Sequence, residues 1–342
     1  MNRKTLIALS GGVDSSVAAY LLSQQSYDLI GATMQLLDNT ENNITDAKHV
    51  AEKLNIPFFS FDMRDQFQKT VINEFISSYE NGETPNPCVI CNKELKFGLL
   101  LEKARELGCD KIATGHYAKV AIIGDRAILK KADNLEKDQS YFLWSLSQEQ
   151  LKSVIFPLGS FSKTQIREIA EELQLSTAKK KDSQDICFVP DGDYISVIEN
   201  TTKKKYENGS FVDINGNILG QHQGIIRYTI GQRKGLGIAL GKPMYVCSKN
   251  IENNQVVLCD DQELYSDTLS ASHFNWIAFN EPPNVLKCKA RIRYRHTEQP
   301  ATVTVDGDKV FIKFDQPQRA ITKGQSVVLY DGDIVLGGGI IE

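Results

Sequence analysis

Lys4-Thr5-Leu6-Ile7-Ala8-Leu9-Ser10-Gly11-Gly12-Val13-Asp14-Ser15-Ser16 is the stretch on which the architecture of the chain turns. A short apolar run suited to a buried strand stops at Ser10. Two glycines and a hydroxyl-rich turn follow, and Val17-Ala18-Ala19-Tyr20-Leu21-Leu22 then reads as a helix. Glycine lets a backbone approach an anion closely, and the free N–H groups and dipole of a helix start favour phosphate. Ser10, Ser15 and Ser16 add hydroxyl donors, and Asp14 could orient a magnesium ion or a phosphate-bound water. A Walker A loop is excluded, because it needs a Gly-Lys-Ser/Thr ending and the one similar dipeptide, Gly241-Lys242, runs into Pro243. A plain glycine turn closing a strand–helix unit is the competing reading, and the three hydroxyls weigh against it.

Working outward, the first ~200 residues alternate strand-like and helix-like segments, the pattern of a parallel sheet covered on both faces. Strands are expected at 28–37, 57–61 and 111–118, and helices at 45–54, 66–79, 94–107 and 163–173, the last with Ser162 as N-cap. Ligands in such sheets sit beyond the carboxyl ends of the strands. The Ser-Gly-Gly loop, Met34 and Gly115-His116 should therefore share one rim. From about Tyr206 the texture changes to short β-branched and aromatic runs separated by Asn208-Gly209, Asn215-Gly216, Asp306-Gly307 and Asp331-Gly332, each a hairpin-turn signal. The expected division is an α/β doubly wound domain over 1–203, a β-rich domain over 204–266 and a C-terminal β-barrel over 267–342.

At 342 residues the chain is long enough for two or three domains. Its hydrophobic and charged fractions, 41% and 24%, are those of a water-soluble globular protein, and no apolar run approaches the ~20 residues of a membrane helix. A cytoplasmic location with no membrane association is expected. The net charge of −4 excludes a general basic field for nucleic acid, so an RNA partner would have to be met by local clusters such as Arg291, Arg293, Arg295 and His296. The lysine triplets 179–181 and 203–205 read as solvated faces.

Seven cysteines without a secretion signal argue against a disulfide framework and for reduced, metal-bound or reactive thiols. Thr84-Pro85-Asn86-Pro87-Cys88-Val89-Ile90-Cys91-Asn92-Lys93-Glu94 places Cys91 close to a helix start, where partial positive charge should lower its pKa, with Lys93 reinforcing the effect. Cys-x-x-Cys alone admits zinc, a redox pair or an iron–sulfur site. Cys187 stands in a polar loop, Asp182-Ser183-Gln184-Asp185-Ile186-Cys187-Phe188, and is a second candidate for reactivity; Cys109, Cys247, Cys259 and Cys288 read as ordinary core thiols.

The Ser-Gly-Gly-x-Asp-Ser loop resembles that of the ATP pyrophosphatases. Together with Thr-Pro-Asn-Pro-x-x-x-Cys-Asn-Lys-Glu, Thr114-Gly115-His116-Tyr117-Ala118, Lys137-Asp138-Gln139-Ser140-Tyr141-Phe142-Leu143, the Cys187 loop and Gly231-Gln232-Arg233-Lys234-Gly235-Leu236, it resembles the tRNA-specific 2-thiouridylases. These motifs occur in that family's order over nearly the whole chain. The resemblance implies ATP-dependent thiolation at C2 of the wobble uridine in tRNAs for lysine, glutamate and glutamine. It implies ATP with Mg2+ at Ala8, Leu9, Ser10, Gly11, Gly12, Val13, Asp14, Ser15, Met34 and Gly115. It makes Cys91 the nucleophile and Cys187 the persulfide carrier, closing a transient disulfide with Cys91. It implies tRNA contacts at Asn86, Pro87, Cys88, His116, Lys137, Asp138, Gln139, Arg293, Tyr294 and Gln325. A cysteine desulfurase or sulfur-relay protein would supply the sulfur to a monomer. Cys88 stands where many members carry Asp, so Cys88, Cys91 and Cys187 could instead hold an iron–sulfur cluster with one iron open to sulfide. Two other readings remain at this stage: a ligase that adenylates a small molecule, and a nucleotide-regulated RNA- or metal-binding protein without turnover.

Overall fold

The computed structural model describes residues 4–38, 40–175, 177–178 and 186–342. The lysine run 179–181 and the 182–185 part of the Cys187 motif lie outside the described residues. Strand β1 (Lys4–Ala8), apolar and buried from Thr5 to Ile7, is the middle of a five-stranded parallel sheet. β2 (Asp28–Gln35) and β3 (Phe58–Asp62) add on one side of it, and β4 (Lys111–Ala113) adds on the other. Chain order thus reverses at β1, and the switch point lies between the carboxyl ends of β1 and β4. Beyond β4 the chain forms a hairpin of β5 (Lys119–Ile123) and β6 (Arg126–Lys130) before β7 (Val154–Ile155) completes the sheet.

Both sheet faces are covered. Helix α1 (Val13–Ser23), helix α2 (Glu41–Lys53) and helix Lys163–Glu172 pack Val17, Ala18, Leu22, Val50, Ile166 and Ala170 on one face. Two longer helices, 64–80 and 87–106, pack Phe67, Phe75, Leu95 and Leu101 on the other. Both run further than their periodicity predicts. Each widens to π geometry, over Gln68–Ile72 and Cys91–Leu99, which shifts the spacing of the apolar positions away from the α period. The strand expected over 111–118 stops at Ala113, because Thr114–Tyr117 turn away toward the start of α1. Ser162 does cap the helix after it: its hydroxyl accepts from Gln165 N, and the Gln165 side chain returns the bond.

The middle segment forms a four-stranded sheet from β8 (Gly209–Val212), β9 (Ile218–His222), β10 (Tyr245–Asn250) and β11 (Gln255–Cys259), in the order β10-β11-β8-β9. Asn208-Gly209 is not a turn, since Gly209 already pairs with His222. The C-terminal segment is a six-stranded antiparallel barrel of β12 (Tyr265–Trp276), β13 (Val285–Arg291), β14 (Gln299–Asp306), β15 (Lys309–Arg319), β16 (Ser326–Asp331) and β17 (Ile334–Ile341), closed by β12 against β17. Alternate residues such as Val303, Ile312 and Phe314 fill it. The hairpin β5–β6 joins the barrel sheet through Lys130 opposite Ile334, so the linear and spatial divisions differ.

Candidate active site

The phosphate-type loop fills the β1 side of the switch point. Gly12 is the N-cap of α1, is extended, and places no side chain over the first-turn N–H groups. Gly11 has φ +72°, and a Cβ there would lie 2.5 Å from the Asn43 carbonyl oxygen, so only glycine fits. The Ser15 hydroxyl accepts from Ser10 N at 3.1 Å and donates to the Gly12 carbonyl at 3.1 Å. Ser16, buried, spends its hydroxyl on the same carbonyl at 2.8 Å. Leu9 and Val13 bury their side chains, so they can offer a nucleotide only backbone. Met34, half-buried at the end of β2, stands on the same rim.

Gly115 presses this loop from the β4 side: a Cβ at 115 would lie 2.8 Å from Asp14 C and Ser15 N. Asp14 is held by Lys163, whose ammonium donates to both carboxylate oxygens at 2.7 and 2.9 Å, and by the Tyr117 hydroxyl at 2.8 Å. That lysine, absent from the sequence expectations, opens the helix after Ser162. It brings a cation to the first turn of α1. A carboxylate so engaged is a poor magnesium ligand. Among the described residues, no three His, Cys, Asp or Glu side chains gather to hold a metal ion.

The thiols occupy the neighbouring stretch. The helix starts at Pro87, with Asn86 as N-cap, not at Cys91. Proline in the first turn loses no hydrogen bond. Cys88 is half-buried and Cys91 is only 7% exposed. Cys187 is exposed, and its neighbour Phe188 is anchored edge-on against Phe67 and Phe75 at centroid distances of 5.6 and 5.1 Å. This anchor sets Cys187 within electrostatic reach of Cys91 and Cys88.

The expected low pKa at Cys91 is corrected. Burial pushes the Cys91 and Cys88 thiols up, outweighing the helix start. Desolvation and the neighbouring thiols push Cys187 up to about 11. Lys93 does not reinforce a thiolate; it pairs with Glu94 at 3.3 Å. The cation that opposes these rises at all three thiols is Lys96. It lies five residues after Cys91, a spacing that the i→i+5 geometry of Cys91–Leu99 brings onto one face. His116 sits against Phe97 and Phe156 at 5.7 and 5.9 Å, its Nδ1 2.7 Å from Thr114 Oγ1. Burial, with Lys96 nearby, keeps its pKa well below the usual value and its ring neutral.

The residues expected to touch RNA divide. Asp138 is 2% exposed; its carboxylate accepts from Ala132 N, Ser140 N and Ser140 Oγ at 3.0, 3.3 and 2.7 Å. Its carboxylate thereby builds the 132–140 loop. Pro87 is buried as well. Gln139 braces the Gly115–Tyr117 turn, its Oε1 accepting from Tyr117 N at 2.9 Å. Lys137 is half-buried beside them. Tyr294 lies against Phe142 at 4.4 Å, with Arg291 5.5 Å above its ring, and Arg293 is half-buried next to it. The Gln325 amide faces the protein, donating to Thr84 O and Pro85 O at 2.7 and 3.3 Å.

The fold and site thus define a class: a doubly wound nucleotide-binding domain whose switch point carries an uncapped helix start and, beside it, a group of thiols. Comparison with known proteins narrows the class. The family model described as "tRNA methyl transferase HUP domain" matches residues 3–191. The models described as "tRNA methyl transferase PRC-barrel domain" and "Aminomethyltransferase beta-barrel domain" match 196–260 and 266–341. The tRNA-specific 2-thiouridylase MnmA of Clostridioides difficile (strain 630) is 49% identical, covering 100% of this chain and 99% of its own length. The enzyme of the same name from Acetivibrio thermocellus is 49% identical, covering 99% of both. The chain belongs to the tRNA-specific 2-thiouridylase family.

Among the described residues no helix is long and apolar enough to cross a membrane.

Proposed function

We propose that the chain uses ATP to replace the C2 oxygen of the wobble uridine by sulfur in tRNAs for lysine, glutamate and glutamine. The observation that carries this reading is a chain of neighbours in a member of this family: Lys96 acts on Cys88, Cys91 and Cys187 and also on His116, and Gly115 beside His116 presses on Asp14 and Ser15 at the start of α1. A small-molecule ligase has no use for the thiols.

In the proposed sequence the uridine leaves its stack, and its C2 oxygen attacks the α-phosphorus of ATP as pyrophosphate departs. The N–H groups at the start of α1, the Ser10 hydroxyl and Lys163 bind and orient the phosphates; Leu9, Val13 and Ala8 supply backbone, and Met34 flanks the nucleotide. Magnesium would enter on the triphosphate, neutralising charge there. A persulfide on Cys187, loaded by a cysteine desulfurase or sulfur-relay protein, attacks C2 through its outer sulfur, and AMP leaves with the former C2 oxygen. Cys91 then attacks the Cys187 sulfur. The bond from Cys187 to the transferred sulfur breaks, leaving sulfur on C2 and a Cys91–Cys187 disulfide that two external thiols reduce. Lys96 favours the thiolate that each sulfur attack needs. Cys88 adds a third thiol beside the nucleophile. Asn86, His116, Lys137, Gln139, Arg293 and Tyr294 are the proposed surroundings of the RNA. The exposed Cys187 suits loading by a second protein, and the enzyme would act as a cytoplasmic monomer.

Incubation with ATP, magnesium, a persulfide source and unmodified tRNA, followed by nucleoside mass analysis, tests the reading. It predicts 2-thiouridine at the wobble position; pyrophosphate release without sulfur incorporation would overturn it.

A further inference from the structure

Residues 81–86 join helix 64–80 to the helix that carries Cys88 and Cys91, and they are gripped from two sides. The barrel reaches them through the turn before β16. Thr84 N donates to Lys323 O at 2.9 Å, and Gln325 Nε2 donates back to Thr84 O and Pro85 O at 2.7 and 3.3 Å. Gly324, at φ +84°, approaches so closely that a Cβ would lie 2.9 Å from Glu83 Cβ and 3.1 Å from Thr84 N. The middle domain reaches the same segment through the end of β10. Gly82 has φ +80°, and a Cβ there would lie 2.8 Å from Ile251 Cδ1 and 3.7 Å from Lys249 Cβ. Just upstream, Glu80 accepts from Lys204 and Tyr206 at 2.8 and 2.7 Å.

A six-residue connection with no regular structure of its own is thus fixed by contacts from both accessory domains. Asn86 and Pro87 follow immediately, so any shift of Thr84 or Pro85 is passed to the first turn of the thiol helix. Both bonds come from the one Nε2, so the Gln325 amide ties two successive carbonyls of the segment to the barrel.

We infer that Gln325 is a positioning residue that fixes the 82–85 segment, and with it Cys88 and Cys91; Ile251 does the same from the middle domain. The inference rests on the proposed thiolation for its kinetic consequence, while its structural consequence is read without turnover. Displacing reacting groups by ~1 Å can cost about 10²-fold in rate.

Gln325→Glu keeps the size, removes the donor and sets a carboxylate against two carbonyls. It is expected to lower kcat for thiolation about 10-fold, with the tRNA Kd changed less than about twofold. Alkylation of Cys88 and Cys91 by iodoacetamide, followed by peptide mass analysis without ATP or tRNA, should rise several-fold. Ile251→Ala, on the other domain, should raise the same alkylation rates even where Gln325→Glu lowers the melting temperature. A weakened tRNA Kd with unchanged alkylation and kcat would overturn the inference and make Gln325 an RNA contact. Failure of the wild type to form 2-thiouridine would reject the functional reading but leave the alkylation comparison standing.

Discussion

Gly115→Ala tests how the nucleotide loop is shaped. The added methyl would lie 2.8 Å from Asp14 C and Ser15 N, both backbone atoms. That is about 0.6 Å inside ordinary contact for a close-packed interior. No flexible side chain can give way there, and Asp14 is held in place by Lys163 and Tyr117. The two backbone segments must part, at a cost of about 1–3 kcal/mol for overpacking. In a chain of this length, that is a fall of about 1–4 °C in melting temperature. The displaced atoms are the first-turn backbone that would meet the phosphates. A shift of half an ångström there should cost about 10-fold in kcat/KM for ATP. Pyrophosphate release at varied ATP and saturating tRNA reads this loss, and calorimetry reads the stability. Gly124→Ala is the control: at φ +63° it carries backbone strain, but nothing lies within 4 Å of its Cβ, so stability falls while ATP kinetics hold. Wild-type ATP kinetics in Gly115→Ala would refute the reasoning.

Lys163→Met should leave Asp14 charged without its cation and lower pyrophosphate release about 10- to 100-fold, with tRNA affinity unchanged by filter binding. Cys187, with its pKa at about 11, should be alkylated at a rate that climbs with pH from 8 to 10 without a plateau. At pH 8 its thiolate fraction is about 0.1%, so it should react ~100-fold more slowly than an ordinary thiol. Cys91→Ser should bring the steep part of that climb to lower pH, because Cys91, as it ionises, raises the Cys187 pKa. Lys96→Gln should raise all three thiol pKa values and move the ascending limb of the thiolation pH profile to higher pH. Magnetic resonance of the His116 ring should show no inflection between pH 6 and 8, since burial holds it neutral throughout.

The doubly wound sheet was legible because Leu6, Ile7 and Leu9 lead directly into two glycines and a helix, a local pattern that needs no tertiary information. Three hairpin signals, Asn215-Gly216, Asp306-Gly307 and Asp331-Gly332, stand in turns between paired strands. Asn208-Gly209 failed because close approach of the Asn254 carbonyl, not a turn, demands the glycine. The β5–β6 hairpin was missed although Gly124-Asp125 separates two apolar runs, and its pairing with the barrel is a long-range contact that no local signal carries.

At the site, the thiols and the loop were legible and their electrostatics were not. A helix start argues for a low thiol pKa, but burial acts in the opposite direction and wins at Cys91. Lys96 escaped notice because α spacing pairs Cys91 with residues three and four onward, whereas the π stretch pairs it with the fifth. Lys163 lies 149 residues from Asp14. Its placement by a capped helix is visible in sequence, but its partner is not.

In the proposed reaction one rim adenylates the C2 oxygen and then replaces it with sulfur. The measurement is a single turnover with tRNA carrying 18O at C2 of the wobble uridine, followed by mass analysis of the AMP released. Adenylation of that oxygen predicts one 18O in AMP for each 2-thiouridine formed. Thiolated tRNA with unlabelled AMP would contradict it.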